Sequence, residues 1–216
     1  MKRMAFLTAV AGAFITTTAF TPALPVNEPV APNHLRAARQ APAKWVLDKT
    51  HSNVRFSVSH LVVSDVDGSF KSFDGTMTSA KPDFSDAVIN FTVDVNSINT
   101  DNENRDKHLK SDDFFNATKF PQIKFASKSF QLLGNNKYTL TGDLTIRDVT
   151  KTVSFDVTYG GTVTSAAMGG THAGFKAKAT INRFDYNLKW NAATEAGGAI
   201  VGKEVEITLN IDMKKA

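Results

Sequence analysis

Apolar and polar residues alternate along most of this chain, and the alternation is clearest from residue 53 onward. In the first such segment one parity is held by Val54, Phe56, Val58 and His60, and the residues between them are Arg and Ser. Successive side chains of a β-strand point to opposite faces, so this period of two predicts a strand with one dry face and one wet face. His60 therefore ends a row of apolar side chains on the dry face.

The same pattern recurs in eight segments, which predicts an all-β domain. The predicted strands begin near residues 53, 69, 87, 121, 137, 150, 171 and 203, with residues 45–47 as a candidate extension of the first. Turns are predicted at Asp67-Gly68, at Gly134-Asn135-Asn136, and in a loop from 160 to 171 that is rich in Gly, Ser and Thr. Strands at this spacing are typical of antiparallel barrels and of sandwiches, and the alternation alone leaves both open.

One segment, around residues 102–115, lacks the strand pattern and is predicted to be a short helical insertion. Thr100-Asp-Asn-Glu103 matches a capping box, and Asp101 is spaced to pair with Arg105 across one turn. Phe114 and Phe115 are adjacent in the chain, so they cannot point the same way on a helix. At least one of the two is expected to close an apolar opening.

The first 43 residues differ in composition from the rest. Lys2 and Arg3 precede an apolar run and then small residues, which predicts a secretory signal peptide over residues 1–23, cleaved after Ala19 or Ala23. The run is broken early, whereas a membrane-spanning helix needs about 20 apolar residues. Residues 24–43 are rich in Pro and Ala and predict a flexible linker, followed by one domain at 44–216. We therefore expect a soluble periplasmic or secreted protein with no transmembrane segment after signal removal.

The composition of the chain argues against several classes of protein. The 216-residue chain contains 16 Phe and no Cys, so it has neither a lipid-modified cysteine nor a disulfide, and its stability must come from a large core and sheet pairing. Four of the 25 basic residues and one of the 21 acidic residues precede residue 44, so the domain carries a net charge of +1. Nucleic-acid binding needs a concentrated positive patch, and it is not predicted here.

Five separated motifs occur between residue 45 and about residue 213. They are Asp48-Lys-Thr-His-Ser with Phe56-Ser-Val-Ser-His60, Gly68-Ser-Phe with Phe73-Asp-Gly75, Arg105-Asp-Lys-His-Leu-Lys-Ser-Asp-Asp-Phe-Phe115 with Phe120-Pro121, Leu144-Thr-Ile-Arg-Asp-Val-Thr-Lys151, and Asn182-Arg183 with Asp185-Tyr186. With this set the chain resembles the YceI-like family of polyisoprenoid-binding, lipocalin-like exported bacterial proteins. The resemblance implies an extended eight-stranded antiparallel barrel that holds an isoprenoid or fatty-acyl chain in its lumen.

If the domain is such a barrel, the dry faces of the strands line its lumen. The residues placed there by parity are Phe56, Val58, His60, Phe73, Met77, Ile89, Phe91, Phe125, Leu140, Phe155 and Phe175. An ordinary packed core has the same alternation, so the residues alone leave open whether the interior is hollow or filled. The resemblance favours a hollow interior, in which burial of a chain at about 0.8 kcal/mol per methylene needs no catalytic group.

The histidines are the main candidates for chemistry. His51 and His60 are separated by an odd number of residues, so on a regular strand they face opposite sides and do not form a zinc pair. For His60 we expect a structural hydrogen bond before a contact to a ligand head group, and for His108 a position at the surface or rim. Residues 65–68 lack most positions of a calcium loop, and no nucleophile elbow or His-Glu-x-x-His motif is present. No catalytic residue, metal or cofactor is predicted.

Three functions are compatible with these features. The leading hypothesis is an exported protein that carries or stores a long apolar chain, namely a polyisoprenoid, an isoprenoid quinone precursor or a fatty-acyl lipid, with transient membrane contact. The alternative is a periplasmic enzyme that modifies such a lipid, with His60 and His108 as acid or base. The third is a stress-related interaction module with a filled core. Oligomeric state is not indicated.

Overall fold

The computed structural model describes residues 41–192 and 200–216. Within these ranges the chain forms eleven β-strands and one α-helix. The strands are β1 Ala43–Leu47, β2 Asn53–His60, β3 Ser64–Phe70, β4 Phe73–Ser79, β5 Val88–Asp94, β6 Ile98–Asn99, β7 Gln122–Gly134, β8 Lys137–Ile146, β9 Val149–Ser165, β10 Gly170–Asn182 and β11 Val201–Lys215. The helix, α1, spans Glu103–Lys110, and 3-10 turns cover Val95–Ser97 and Arg183–Tyr186. The predicted signal peptide and residues 24–40 of the predicted linker lie outside the described residues.

The sheet closes on itself as an eight-stranded antiparallel barrel. Eleven strands give eight positions in the barrel because some positions are occupied by two strands that lie end to end. β1 pairs with residues 213–215 of β11, and β2 pairs with residues 201–210 on the same edge. β3 and β4 then lie along β2 and β1, and β6 lies beside β3. β5, β7, β8, β9 and β10 complete the ring from β4 back to β11. The predicted barrel is confirmed, and residues 45–47 continue the line of the first predicted strand.

Inner and outer positions alternate along the strands. In β8 the inner face holds Tyr138, Leu140, Leu144 and Ile146, all buried, whereas the Thr and Asp residues between them are partly exposed. In β10 the residues Ala173, Phe175, Ala177 and Ala179 are buried in the same way. The period of two is a property of the extended backbone, so this part of the fold follows directly from local sequence.

Three glycines on the inner face make room for phenylalanine rings from neighbouring strands. Gly75 lies opposite Phe91 across β4 and β5, and a Cβ atom at Gly75 would lie 2.6 Å from Cδ2 of that ring. Gly68 is covered by the Phe56 ring in the same way, and Gly142 by the Phe125 ring. These rings therefore lie against the wall of the barrel instead of filling its centre.

Two predicted turns are strand in the structure. Asp67-Gly68 lies inside β3, and the chain reverses at residues 61–63 instead. Gly68 is required because the Phe56 ring occupies the place of its side chain, and a packing role of this kind leaves the same sequence signal as a hairpin turn. The predicted loop 160–171 also shrinks to residues 166–169, because β9 and β10 continue through it with a register shift at Gly174.

α1 confirms the predicted helical insertion, but its N-terminal details differ from the prediction. The Asn102 side chain, not that of Thr100, caps the helix by accepting a hydrogen bond from the Arg105 N–H at 3.0 Å. Arg105 donates to the hydroxyl and carbonyl oxygens of Thr100 instead of pairing with Asp101. Thr100 in turn donates its hydroxyl to Asp106 at 2.6 Å. In the described part of the chain, no helix is both long and apolar enough to span a bilayer.

Candidate functional site

One end of the barrel, which we call the closed end, is plugged by the side chain of Phe84. Phe84 is 3% exposed, and its ring lies edge-on to those of Trp45, Phe175 and Tyr159 at centroid distances of 5.3, 5.5 and 5.6 Å. Edge-to-face pairs add to the stabilisation that burial gives. The plug is therefore held from three sides of the barrel wall.

The loop that carries Phe84 is organised by one carboxylate. Asp86 accepts hydrogen bonds from the Ser79 hydroxyl at 2.5 Å and from the N–H groups of Ala80 and Lys81 at 3.1 Å. These bonds lower the pKa of Asp86, the Ser79 bond contributing most. Phe84 has a φ of 57°, which is rare for a bulky residue and costs about 1–3 kcal/mol. The hydrogen bonds and the aromatic contacts together hold it in that conformation.

A cavity of about 150 Å³, the inner cavity, lies within the barrel, and Phe175, which contacts the plug, is among its lining residues. Its lining includes eight of the eleven residues that parity placed along the lumen, namely Phe56, Met77, Ile89, Phe91, Phe125, Leu140, Phe155 and Phe175. A protein cavity of about this volume holds one benzene ring. The inner cavity is therefore narrow, and it fits a slender apolar chain better than a bulky group.

A larger cavity of about 490 Å³, the outer cavity, occupies the other end of the barrel. Phe114 and Phe115, which were expected to close an apolar opening, both line it, and so do the predicted lumen residues Val58 and His60. The Phe114 ring lies 5.3 Å from that of Trp190. Ligand-binding pockets in proteins typically measure about 300–1,000 Å³, so the outer cavity is of the right size for a ligand.

The two cavities adjoin. Both are lined by Phe56, Phe70, Ile123, Ile146 and Ile207. The Phe56 and Phe70 rings meet at a centroid distance of 5.7 Å. What separates the cavities is therefore a set of apolar side chains, and one apolar interior extends from the inner cavity to the outer end.

Two predicted lumen residues behave differently from the others. Phe73 is buried but lines neither cavity, and it stacks on Phe91 at 6.0 Å, so it supports the wall. His60 lines the outer cavity. Within the described residues its ring makes no hydrogen bond, and the structural bond expected for it stays a prediction. Contact of any of the eleven residues with a ligand stays a prediction.

Arg183 is a functional candidate whose role sequence reasoning missed. Its guanidinium is almost fully buried beside the outer cavity, and it donates to the carbonyl oxygens of Leu188, Trp190, Gly202 and Val201 at 2.6, 2.7, 2.8 and 3.1 Å. Burial lowers the pKa of this group. Arg183 ties the segment after β10 to the start of β11. The sequence signal that could have identified Arg183 is its place in the Asn182-Arg183 motif, one of the five on which the family resemblance rests.

A separate polar cluster lies on the outer wall, where residues 48–52 cross β11. Asp48, His51 and Asp212 each bring one ligand atom within 4.8 Å of the others, so these described residues can hold a metal ion. His51 is exposed in this cluster, whereas His60 lines the outer cavity, so the two histidines do not share a site.

His172 is a buried histidine next to this cluster. It donates from Nε2 to the Met168 carbonyl, and its Nδ1 lies 2.8 Å from Asp212, which raises the pKa of His172.

Comparisons with known proteins agree with this architecture. The model of the YceI-like domain family matches residues 45–213. UPF0312 protein SA2479 of Staphylococcus aureus (strain N315) is 40% identical over 162 residues, which cover 75% of this chain and 92% of that protein. The crystal structure of Burkholderia cenocepacia BcnA has a TM-score of 0.64 at 25% identity, covering 77% of this chain and 98% of that one. A polyisoprenoid binding domain from Saccharophagus degradans shares the fold, with a TM-score of 0.58 at 16% identity over 81% of this chain and 99% of that one.

Proposed function

The chain belongs to the YceI-like domain family, and from this premise we propose that it binds a long apolar chain inside the barrel, for carriage or storage. The ligand class is a polyisoprenoid, an isoprenoid quinone precursor or a fatty-acyl lipid. The observation that carries the proposal is the pair of adjoining apolar cavities inside the barrel, the inner of which is lined by Phe175, a contact of the Phe84 plug. The fold shared with a domain named as polyisoprenoid binding supports it.

The energetics favour a long guest over a short one. Each methylene moved from water into the lumen contributes about 0.8 kcal/mol, whereas association costs about 4–15 kcal/mol. About ten buried methylenes therefore offset the lower part of that cost, and affinity should rise with chain length until the guest reaches Phe84. The rings of Phe56, Phe91 and Phe125 have to stay against their glycines for the guest to pass.

The proposal includes export and transient contact with membranes. Export rests on the signal peptide predicted for residues 1–23. A ligand that is nearly insoluble in water has to be taken from a bilayer and returned to one, so a protein outside the cytoplasm that carries it would meet membranes repeatedly.

An enzyme acting on the same lipid is the second candidate, and one observation favours it. His60 and His108 both line the outer cavity, and His108 Nε2 lies 2.8 Å from a carboxylate oxygen of Asp113. A histidine oriented by a carboxylate is a common acid–base arrangement. The interaction module with a filled core is less favoured, because the interior retains space in both cavities.

The decisive experiment identifies what copurifies. The protein is exported from a bacterial host, examined by native mass spectrometry and extracted with organic solvent. We expect one class of long-chain molecule, recovered unchanged after incubation with the protein. Complete absence of such a molecule in the protein as purified, together with no uptake of added lipid, would overturn the proposal.

A matched pair of variants locates the guest. Ala177→Phe fills the inner cavity, whereas Ala126→Phe adds the same group to the exposed face of β7. We expect the first variant to lose most of the bound chain and the second to keep it. The enzyme hypothesis predicts instead that His60→Ala binds the lipid normally and no longer converts it.

A further inference from the structure

The polar groups around the outer cavity are basic or neutral. Its polar lining residues within the described chain are Ser59, His60, Asn104, Arg105, His108 and Arg183, and none of the described lining residues is Asp or Glu. The remainder of the lining is apolar. A largely apolar cavity whose described lining contains basic groups and no carboxylate has the chemistry to hold an amphiphile with an anionic head.

Arg183 contributes a buried positive charge. It is 3% exposed, and all its hydrogen bonds within the described chain go to neutral carbonyl oxygens. Carbonyl dipoles satisfy the N–H donors but do not neutralise the charge. Within the described residues Arg183 has no carboxylate partner, and a buried cation in such surroundings stabilises an anion bound close to it.

The other basic groups are joined to Arg183 through two residues. Val201, whose carbonyl accepts from Arg183 Nη2, pairs with His60 across β11 and β2. Trp190, whose carbonyl accepts from Nη1, has its ring 4.9 Å from that of His108. Each of the two histidines is therefore linked to the buried charge through one residue.

Arg105 supplies a donor from α1. It is three residues before His108 on the helix, so the two side chains share a face. Its Nε and Nη2 are held by Thr100 at 2.8 and 2.7 Å, which fixes the plane of the guanidinium. Nη1 makes no hydrogen bond within the described residues. Two acidic side chains lie close to these groups, and neither lines the cavity. Asp106 accepts the Thr100 hydroxyl, and Asp113, which bonds His108, is more than half exposed.

We propose that the outer cavity is a head-group site, which binds the carboxylate or phosphate of an anionic amphiphile whose chain lies in the barrel. This inference rests on the proposed function, because a head-group site presupposes a chain in the lumen. Guanidinium groups donate in pairs to carboxylates and phosphates, and the apolar surroundings strengthen such contacts by excluding water. The tail then points toward Phe84 at the closed end.

The test compares three probes that share one saturated chain: palmityl alcohol, palmitic acid and palmityl phosphate. Their dissociation constants are measured on the delipidated full chain at neutral pH, below the micelle concentration. We expect the two anions to bind about tenfold more tightly than the alcohol, or better, which is the effect of one charge-assisted hydrogen bond. A preference for one anion over the other supports the site and names its head group.

The variants assign the effect to residues. Arg105→Gln should remove most of the preference for anions, whereas Lys107→Gln, an exposed position of the same helix outside the cavity, should keep it. His60→Gln, a lining position on β2 instead of α1, tests the site if Arg105→Gln does not fold. Equal affinities for all three probes overturn the head-group site and leave chain binding intact. Failure of every probe to bind overturns the proposed function as well.

Discussion

The two ends of the barrel are built from the same alternating strands, yet they finish in opposite ways. At the closed end a single loop carries Phe84 inward, and the Tyr138 hydroxyl secures that loop by donating to the Asp83 carbonyl at 2.6 Å. At the outer end α1 and the segment held by Arg183 stand around a cavity of about 490 Å³. The strands thus create an apolar interior, and the connections decide which end of it is accessible.

The difference also gives the interior a direction. At the closed end the Phe84 ring packs against the rings of Trp45, Tyr159 and Phe175. Basic groups are found at the outer end, where Arg105 and Arg183 line the cavity. A guest with a polar head and an apolar tail is accommodated with its tail at Phe84. The following predictions test this contrast, beginning with the largest expected effect.

Removal of the plug should cost the most stability. We expect Phe84→Ala to lower the free energy of unfolding by about 3–5 kcal/mol, because it leaves a void among Trp45, Tyr159 and Phe175. Chemical denaturation measures the change. Leu133→Ala, at a position that is 62% exposed, is the control and should change stability by less than about 0.5 kcal/mol. Similar small effects of both substitutions would show that the closed end does not depend on its plug.

Removal of the clamp at the outer end should cost somewhat less. We expect Arg183→Met to lower the free energy of unfolding by about 2–4 kcal/mol, because four carbonyl oxygens lose their donors while a buried charge is also removed. Hydrogen exchange should accelerate at the start of β11 and not around Trp45. Uniform acceleration at both ends would contradict a local role. Arg55→Met, at an exposed position of β2, is the control.

The wall between the two ends can be tested at Gly75. We expect Gly75→Ala to cost about 1–3 kcal/mol and to reduce chain binding, because the new methyl group pushes the Phe91 ring into the lumen. Gly174→Ala is a matched control, since a Cβ atom there meets nothing within 4 Å. Adding Phe91→Leu to Gly75→Ala should restore binding in part. Unchanged binding in Gly75→Ala alone would mean that the ring does not define the passage.

The smallest expected effect is a pH dependence of stability that comes from His172, on the outer face of the closed end. The hydrogen bond to Asp212, with further help from the Met168 carbonyl and the charge of Asp48, raises the pKa of His172 in the folded protein. Its stabilisation is therefore fully present below the unfolded pKa of about 6.5 and is lost as pH rises through the raised folded value. The difference in Tm between the protein and His172→Asn should shrink from about pH 6 to about pH 9. A difference that grows over this range would contradict the assignment.

The features that depend on local geometry were predictable from the sequence. Phe125 and Phe155 were placed on the inner face from parity, and the structure has both lining the inner cavity. The helical insertion was recognised because residues 102–115 lack that parity. The polar details of α1 were not predicted, because Asn102 and Thr100 are both good capping residues, and the hydrogen bonds of Thr100 with Arg105 and Asp106 decided between them.

By itself, then, the sequence determined the strands, their inner and outer faces and the family. Only the tertiary structure decided that Gly68 lies beneath a ring instead of in a turn, that Phe84 closes one end and that Arg183 holds the other. The physical reason is distance along the chain. Parity is set by each residue's own backbone, whereas a plug, a clamp and an open lumen arise from contacts such as that between Phe84 and Phe175, which closure of the barrel brings together.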